Sequence, residues 1–249
     1  MEKKKRININ KLLYGGLALI ALYLFQVMAG KSGWAFADLF NYDLHDPDHL
    51  FARLSVHHII QMLIAIAVML ILKKLIETDF GFQLGDHKKG MRYFLLFTGA
   101  IAVIALVYHI LMYVIDQPIT YAYSLARRNV LGTLGFQLLL SGPSEEILYR
   151  ALPVTLLVYV FGKNIHINRD ITLEVVLASL LFTAAHIKWT VSPFSITELN
   201  LFGLVYAFAM GILNGFVYQK SRSILYPILM HSISNVLMVG TGYLFAILL

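Results

Sequence analysis

Residues 129–161 read NVLGTLGFQLLLSGPSEEILYRALPVTLLVYVF. Two apolar runs, 130–140 and 151–161, enclose Ser144-Glu145-Glu146-Ile147-Leu148-Tyr149-Arg150. A charged side chain at the centre of a bilayer costs roughly 2.5–3.5 kcal/mol on insertion scales, so such residues face a bundle interior or a watery cavity and mark function. The tract is too long for one simple span. The Ser141-Gly142-Pro143-Ser144 break is expected to divide it into two helices, or a helix and a re-entrant piece, with Gly142 at the bend and Pro143 in the first turn that follows.

Working outward, the whole chain has the same character. Of its 249 residues 59% are hydrophobic and only 14% charged, with mean hydropathy +0.72. Soluble domains carry about 25% charged residues, and the apolar excess suits a bundle whose outer face meets lipid. Apolar segments recur at about 12–30, 56–72, 93–115, 129–161, 171–187, 197–218 and 224–249. The last is interrupted by Gly240-Thr241-Gly242 and can be read as two pieces. The fold class is therefore all-α, a polytopic bundle of seven to eight transmembrane helices. It forms one membrane domain over 1–249, without repeats or low-complexity tracts. Residues 12–29 read as a retained first span, since no A-x-A-like cleavage site follows them.

The net charge is +6 and the pI about 9.4. Nucleic acid is not the implied partner, because the cations follow the sidedness of cytoplasmic loops. Lys3, Lys4, Lys5, Arg6 and Lys11 precede the first span; Lys73, Lys74, Lys88, Lys89 and Arg92 follow the second; Lys163, Arg169, Lys220 and Arg222 fall on the same side. The opposite side has Lys31, Arg53, Arg127, Arg128 and Lys188. Fourteen against five, with Arg150 inside a span, supports seven crossings with the N-terminus in the cytoplasm. The loop at about 31–55, rich in Asp, Trp, Phe and Tyr, suits an outer interfacial segment. Without cysteine, thiol nucleophiles, disulfides and thiolate metal sites are excluded.

The polar residues inside the apolar segments carry the chemistry. Glu146 and Arg150 stand four apart on one helical face and can pair. Glu145 points about 100° away, given 3.6 residues per turn, and meets Tyr149. It is left without a local cation, the setting of a general base. Phe182 and His186 are four apart in the fifth segment, and His231 and Asn235 four apart in the last. Each cluster alone has a structural alternative: histidine and asparagine also glue membrane helices, and Glu146–Arg150 can be a purely structural pair. Together on three segments they are the ingredients of water activation and oxyanion stabilisation.

The motifs E-E-x-x-x-R (145–150), F-x-x-x-H (182–186) and H-x-x-x-N (231–235) resemble those of the CPBP family, the CAAX protease and bacteriocin-processing (Abi) intramembrane peptidases. The likeness covers about residues 125–245, the motif-bearing core. It implies an endopeptidase with a conical cavity in which Glu145 activates water with help from His186, His231 and Asn235 hold the oxyanion, and Glu146 and Arg150 support, beside Tyr149 and Phe182. The resemblance leaves two alternatives for the chemistry, a zinc ion on Glu145, His186 and His231, or a metal-free glutamate mechanism that uses the same groups. The implied substrate is a membrane-associated protein or peptide, in bacteriocin or pheromone maturation or in self-immunity; nothing in the chain speaks to oligomeric state. The alternative is a non-catalytic membrane regulator binding a sensor kinase or envelope enzyme. An H-E-x-x-H metalloprotease motif is missing, and no inverted repeat suggests a transporter. His57 and His58 read as interfacial. His109 reads as a packing donor, and Ala207, Gly211 and Gly215 as a close-packing stripe flanked by Tyr206 and Asn214.

Overall fold

Helices dominate because long Leu-, Ile- and Ala-rich tracts leave the backbone nothing but itself to hydrogen-bond in lipid. A computed structural model of the chain describes residues 9–191 and 194–248. Lys3, Lys4, Lys5 and Arg6 lie outside the described residues. Along the chain come α1 (Ile9–Ala37), α2 (Ala52–Ile76), α3 (His87–Val114), α4 (127–161), α5 (Leu173–Ala185), the strands β1 (Lys188–Val191) and β2 (Phe194–Glu198), α6 (Leu201–Ser221) and α7 (Leu225–Leu248). Among the described residues five helices are long and apolar enough to cross a membrane: Asn10–Ala37, Ala52–Ile76, His87–Val114, Leu201–Ser221 and Leu225–Leu248. That is fewer than the seven to eight expected. At 13 residues α5 is short for a hydrocarbon layer that needs about 20, and α4 carries its charges at mid-length. Outward-facing Leu17, Leu63, Leu96, Val103 and Leu213 are exposed, as lipid contact requires.

Three local expectations change. The break at 141–144 is absent: Ser141 (φ −59°, ψ −58°) and Gly142 (φ −56°, ψ −55°) are both right-handed helical. Within α4, Arg127–Phe136, Gly142–Glu146 and Leu152–Phe161 are α-helical, while Gln137–Ser141 and Ile147–Ala151 form wider π turns. Pro143 has no N–H and collides with the preceding turn of a regular helix; the wide turn just before it relieves both problems. Gly142 serves close approach instead of a bend. A Cβ there would strike Ser232 Oγ and lie 3.0 Å from Ile228 O, both on α7. The Gly240-Thr241-Gly242 interruption is also absent, since α7 runs through it and Gly242 packs against Tyr121 and His109. Finally, α1 runs on to Ala37, so Trp34 and Phe36 are helical, and the outer loop shrinks to turns held by Asp46, which accepts from Leu50, Phe51 and Ala52 N–H.

The fold is nearly all-α. The addition is the antiparallel β1–β2 hairpin after His186, pairing Trp189 with Ile196 and irregular at Lys188/Trp189. The 207–215 stripe behaves as expected. Cβ atoms at Gly211 and Gly215 would press on Ser179 and Val175 at 2.8 and 2.7 Å, so α6 and α5 nearly touch. At one end of the bundle the turns around 81 and 221–224 join through Asp86 N–H to Ser221 O and Ile224 N–H to Gly81 O. At the other, Asn129 donates to Asp48 at 2.7 Å.

Candidate active site

The site begins at the middle of α4, where the π turn Ile147–Ala151 follows the two glutamates and rotates the next residues relative to a regular helix. Glu146 and Arg150 are completely buried. Glu146 Oε1 accepts from His231 Nδ1 at 2.7 Å and from Asn214 Nδ2 at 2.9 Å. Glu146 Oε2 lies 3.4 Å from Arg150 Nε, an ion pair at i, i+4. Arg150 also lays its guanidinium 3.8 Å over the Phe182 ring, and its three nitrogens have no hydrogen-bond partner among the described residues. One carboxylate thus ties α4 to α6 and α7, while its arginine ties α4 to α5.

Glu145 differs from its neighbour. Its side chain is partly open, 20% exposed, and its Oε2 stands 3.7 Å from His231 Nε2. That is an ion-pair separation and too long for a hydrogen bond. His231 lies between the two glutamates. Because a carboxylate accepts only, the Nδ1 nearest Glu146 carries a hydrogen, which turns Nε2 to Glu145. Glu146 is engaged by Asn214, Arg150 and His231, while Glu145, without a cation on its own helical turn, faces the same imidazole.

The remaining expected residues are distributed around this pair. Phe182 is a hub of rings, 5.4 Å from Tyr149, 4.6 Å from His186 and 6.3 Å from His231 between centroids. Tyr149 is buried on the turn after Glu145. His186 ends α5, exposed, with Nδ1 donating to Phe182 O at 2.9 Å. His186 and His231 both approach the Phe182 ring, at 4.6 and 6.3 Å between centroids. Asn235 spends its amide hydrogens on Gln137 Oε1 (2.9 Å) and Ser141 Oγ (3.1 Å), both on α4. Glu145, His186 and His231 are not drawn together as ligands: among the described residues no three His, Asp or Glu side chains cluster to hold a metal ion. The donor set expected for zinc does not fit the ion in this arrangement.

Two site neighbours, His58 and Gln61, receive no place at the site from the sequence, and a third, Asn214, reads from it only as a flank of the packing stripe that could line a cavity. Asn214 is buried and bound to Glu146; its signal was an amide set among packing glycines, one turn from Gly211. His58 is buried in place of lying at an interface. Its ring meets Phe136 edge-on at 5.0 Å. Gln61, one turn further along α2, donates to Ser144 Oγ at 2.7 Å. The H-H-x-x-Q run of 57–61 sits in a span that carries no family motif, so nothing local linked it to Glu145. His57 stacks on Trp34 at 4.0 Å and is buried as well. His109 donates to Ala105 O in its own helix, at 2.7 Å.

With this geometry in hand, residues 127–237 match the family model described as Type II CAAX prenyl endopeptidase Rce1-like. The match falls on all three motifs and agrees with the likeness to CPBP peptidases. No curated protein and no solved structure matches the chain.

Proposed function

We propose, from the premise that residues 127–237 belong to the Rce1-like family of type II CAAX prenyl endopeptidases, that this multi-pass membrane protein cleaves a membrane-associated peptide at the Glu145 site. The observation that carries the reading is the placement of His231 between Glu146 at 2.7 Å and Glu145 at 3.7 Å. Glu145 takes a proton from water, and the water oxygen adds to the scissile carbonyl. The carbonyl π electrons move onto oxygen, forming the tetrahedral oxyanion. On collapse the C–N bond breaks, and the proton held between Glu145 and His231 goes to the departing amine. Glu146, Asn214 and Arg150 fix the His231 ring; His186, at the end of α5, assists in the role the family resemblance implies. Asn235 serves the oxyanion by exchanging one of its present bonds, to Gln137 or Ser141. The protein lies in the cell membrane with its N-terminus cytoplasmic. Maturation of a secreted bacteriocin or pheromone, or immunity to one, is the finer assignment.

The test uses the full chain in lipid vesicles with a farnesylated peptide ending in a CAAX tetrapeptide, and mass spectrometry of products. Wild type releases a C-terminal fragment. Glu145→Gln lowers the rate by about 10²–10⁴, the usual weight of general acid–base catalysis, with insertion unchanged. A chelator arm reports on metal use. Cleavage that survives Glu145→Gln, or a protein inert to this peptide and to candidate secreted peptides alike, removes the reading. Full biological activity of Glu145→Gln would instead support the non-catalytic regulator.

A further inference from the structure

A cavity of about 380 Å³ opens between α1, α2, α5 and the hairpin, with Tyr23, Gln26, Trp34, Gln61, Tyr149 and Trp189 in its wall. It reaches the site through two of these. Tyr149 is one helical turn from Glu145, and Gln61 holds the hydroxyl of Ser144, the residue before Glu145. Gln26 is the unusual member. It is 3% exposed, its Nε2 donates to Leu148 O at 3.2 Å, and its Oε1 has no partner among the described residues. The amide cannot be turned round, since Leu148 O only accepts and therefore requires the nitrogen. A buried, unsatisfied acceptor in a cavity wall is costly unless something donates to it.

We infer that this cavity grips an extended stretch of peptide substrate and that Gln26 Oε1 accepts one of its backbone N–H groups. The inference rests on the peptidase reading and names how that site holds its substrate. An extended chain directs its N–H groups sideways at regular intervals while its side chains alternate between faces. One fixed acceptor therefore sets register, and aromatic walls receive the neighbouring side chain. A cationic ligand suits the aromatic walls less. The faces of the two tryptophans already carry cations, Arg53 at 4.6 Å over Trp34 and Lys31 at 5.8 Å from the Trp189 ring centroid. Gln26 lies on α1, outside the family-matched segment 127–237. It therefore distinguishes this chain's way of holding a peptide from the chemistry its motifs share.

The experiment measures binding of the farnesylated CAAX peptide to Glu145→Gln protein in vesicles by tryptophan fluorescence. The peptide is compared with analogues in which one backbone amide at a time is replaced by an ester. An ester keeps the shape and deletes the N–H. One position is expected to weaken binding about three- to tenfold, the weight of a single hydrogen bond. Gln26→Met should weaken the all-amide peptide by a similar factor and leave that one ester analogue unaffected. In the active protein the same variant should act more on KM than on kcat. If no ester position matters, or if Gln26→Met weakens every analogue equally, the inference is overturned, and the ester scan decides this even should Gln26→Met fold poorly. Gln26-dependent binding without cleavage by the Glu145-intact protein would remove the peptidase reading alone. Cleavage indifferent to Gln26 would remove the inference alone.

Discussion

Two carboxylate–cation pairs within single helical turns occupy opposite environments in this molecule. Glu146 and Arg150 have completely buried side chains and stand 3.4 Å apart. Asp86 and Lys89, at the start of α3, stand 2.7 Å apart with side chains 37% and 60% exposed. The shorter pair is the weaker one in consequence, because water and salt already solvate and screen both partners. The longer pair has lost its water. Its charges were costly to bury, and each now depends on the other. The comparison teaches that the polar centre of α4 is a device for holding geometry rather than a source of stability. It holds Glu146 aligned so that His231 presents Nε2 to Glu145.

Removing the buried cation should have the largest effect. Arg150→Ala leaves Glu146 uncompensated and strips the cover from Phe182. A loss of about 3–5 kcal/mol is expected, typical for breaking a buried pair from one side. It should be visible as a large fall in the thermal unfolding midpoint in detergent. Glu146→Gln combined with Arg150→Met removes both charges while keeping acceptors and bulk, and should be more stable than Arg150→Ala alone. If the double variant is the less stable of the two, the pair stabilises the fold outright and the contrast with Asp86–Lys89 fails.

Asn214 sharpens the same contrast at a smaller scale. It donates to the buried carboxylate from α6, and hydrogen bonds to charged groups are worth about 1.5–3 kcal/mol. Asn214→Leu should cost an amount in that range by denaturant unfolding and reduce cleavage as the His231 ring loses its common anchor. A variant with full stability and full cleavage would mean that Arg150 and His231 suffice to fix Glu146.

How much of this was legible follows from range. The i, i+4 relation of Glu146 to Arg150, the openness of Glu145 and the close packing at Gly211 and Gly215 are consequences of one helix's pitch, and the sequence carries them directly. Convergence of α4, α5 and α7 was inferable from three motifs whose residues have no reason to be polar separately. The unbroken course of α4 was not. Gly-Pro signals a break in water, where a freed carbonyl finds a partner, whereas in lipid a widened turn keeps the backbone satisfied. The burial of His58, the roles of Gln26 and the hairpin, and the carboxylate that Asn214 meets were beyond reach for another reason. Their importance lies in which helix they face, and apolar helices with weak one-sided patterning do not announce their neighbours. His186 is a case of partial legibility, since the motif spacing puts it one turn after Phe182, at the end of α5, and its ring meets Phe182 at 4.6 Å.

The smallest effect belongs to the exposed pair, and its pH dependence tests the comparison from the other side. Asp86 caps α3 by accepting Lys89 N–H at 3.1 Å, and its carboxyl is held below the usual aspartate range by the side-chain and then the backbone hydrogen bond from Lys89. A group whose folded value is depressed contributes stability that is present above its unfolded value and lost as pH falls through the folded one. The contribution should therefore be intact at neutral pH and vanish only below about pH 4, the range of an unperturbed aspartate. Asp86→Asn keeps a capping oxygen and removes the charge. It should lower the neutral-pH unfolding midpoint by only the small amount by which it flattens that acid limb, leave the cleavage rate nearly untouched, and be mimicked by moderate salt. A large loss at neutral pH would show that the surface pair organises α3 as the buried pair organises α4, and the distinction between the two environments would have to be abandoned.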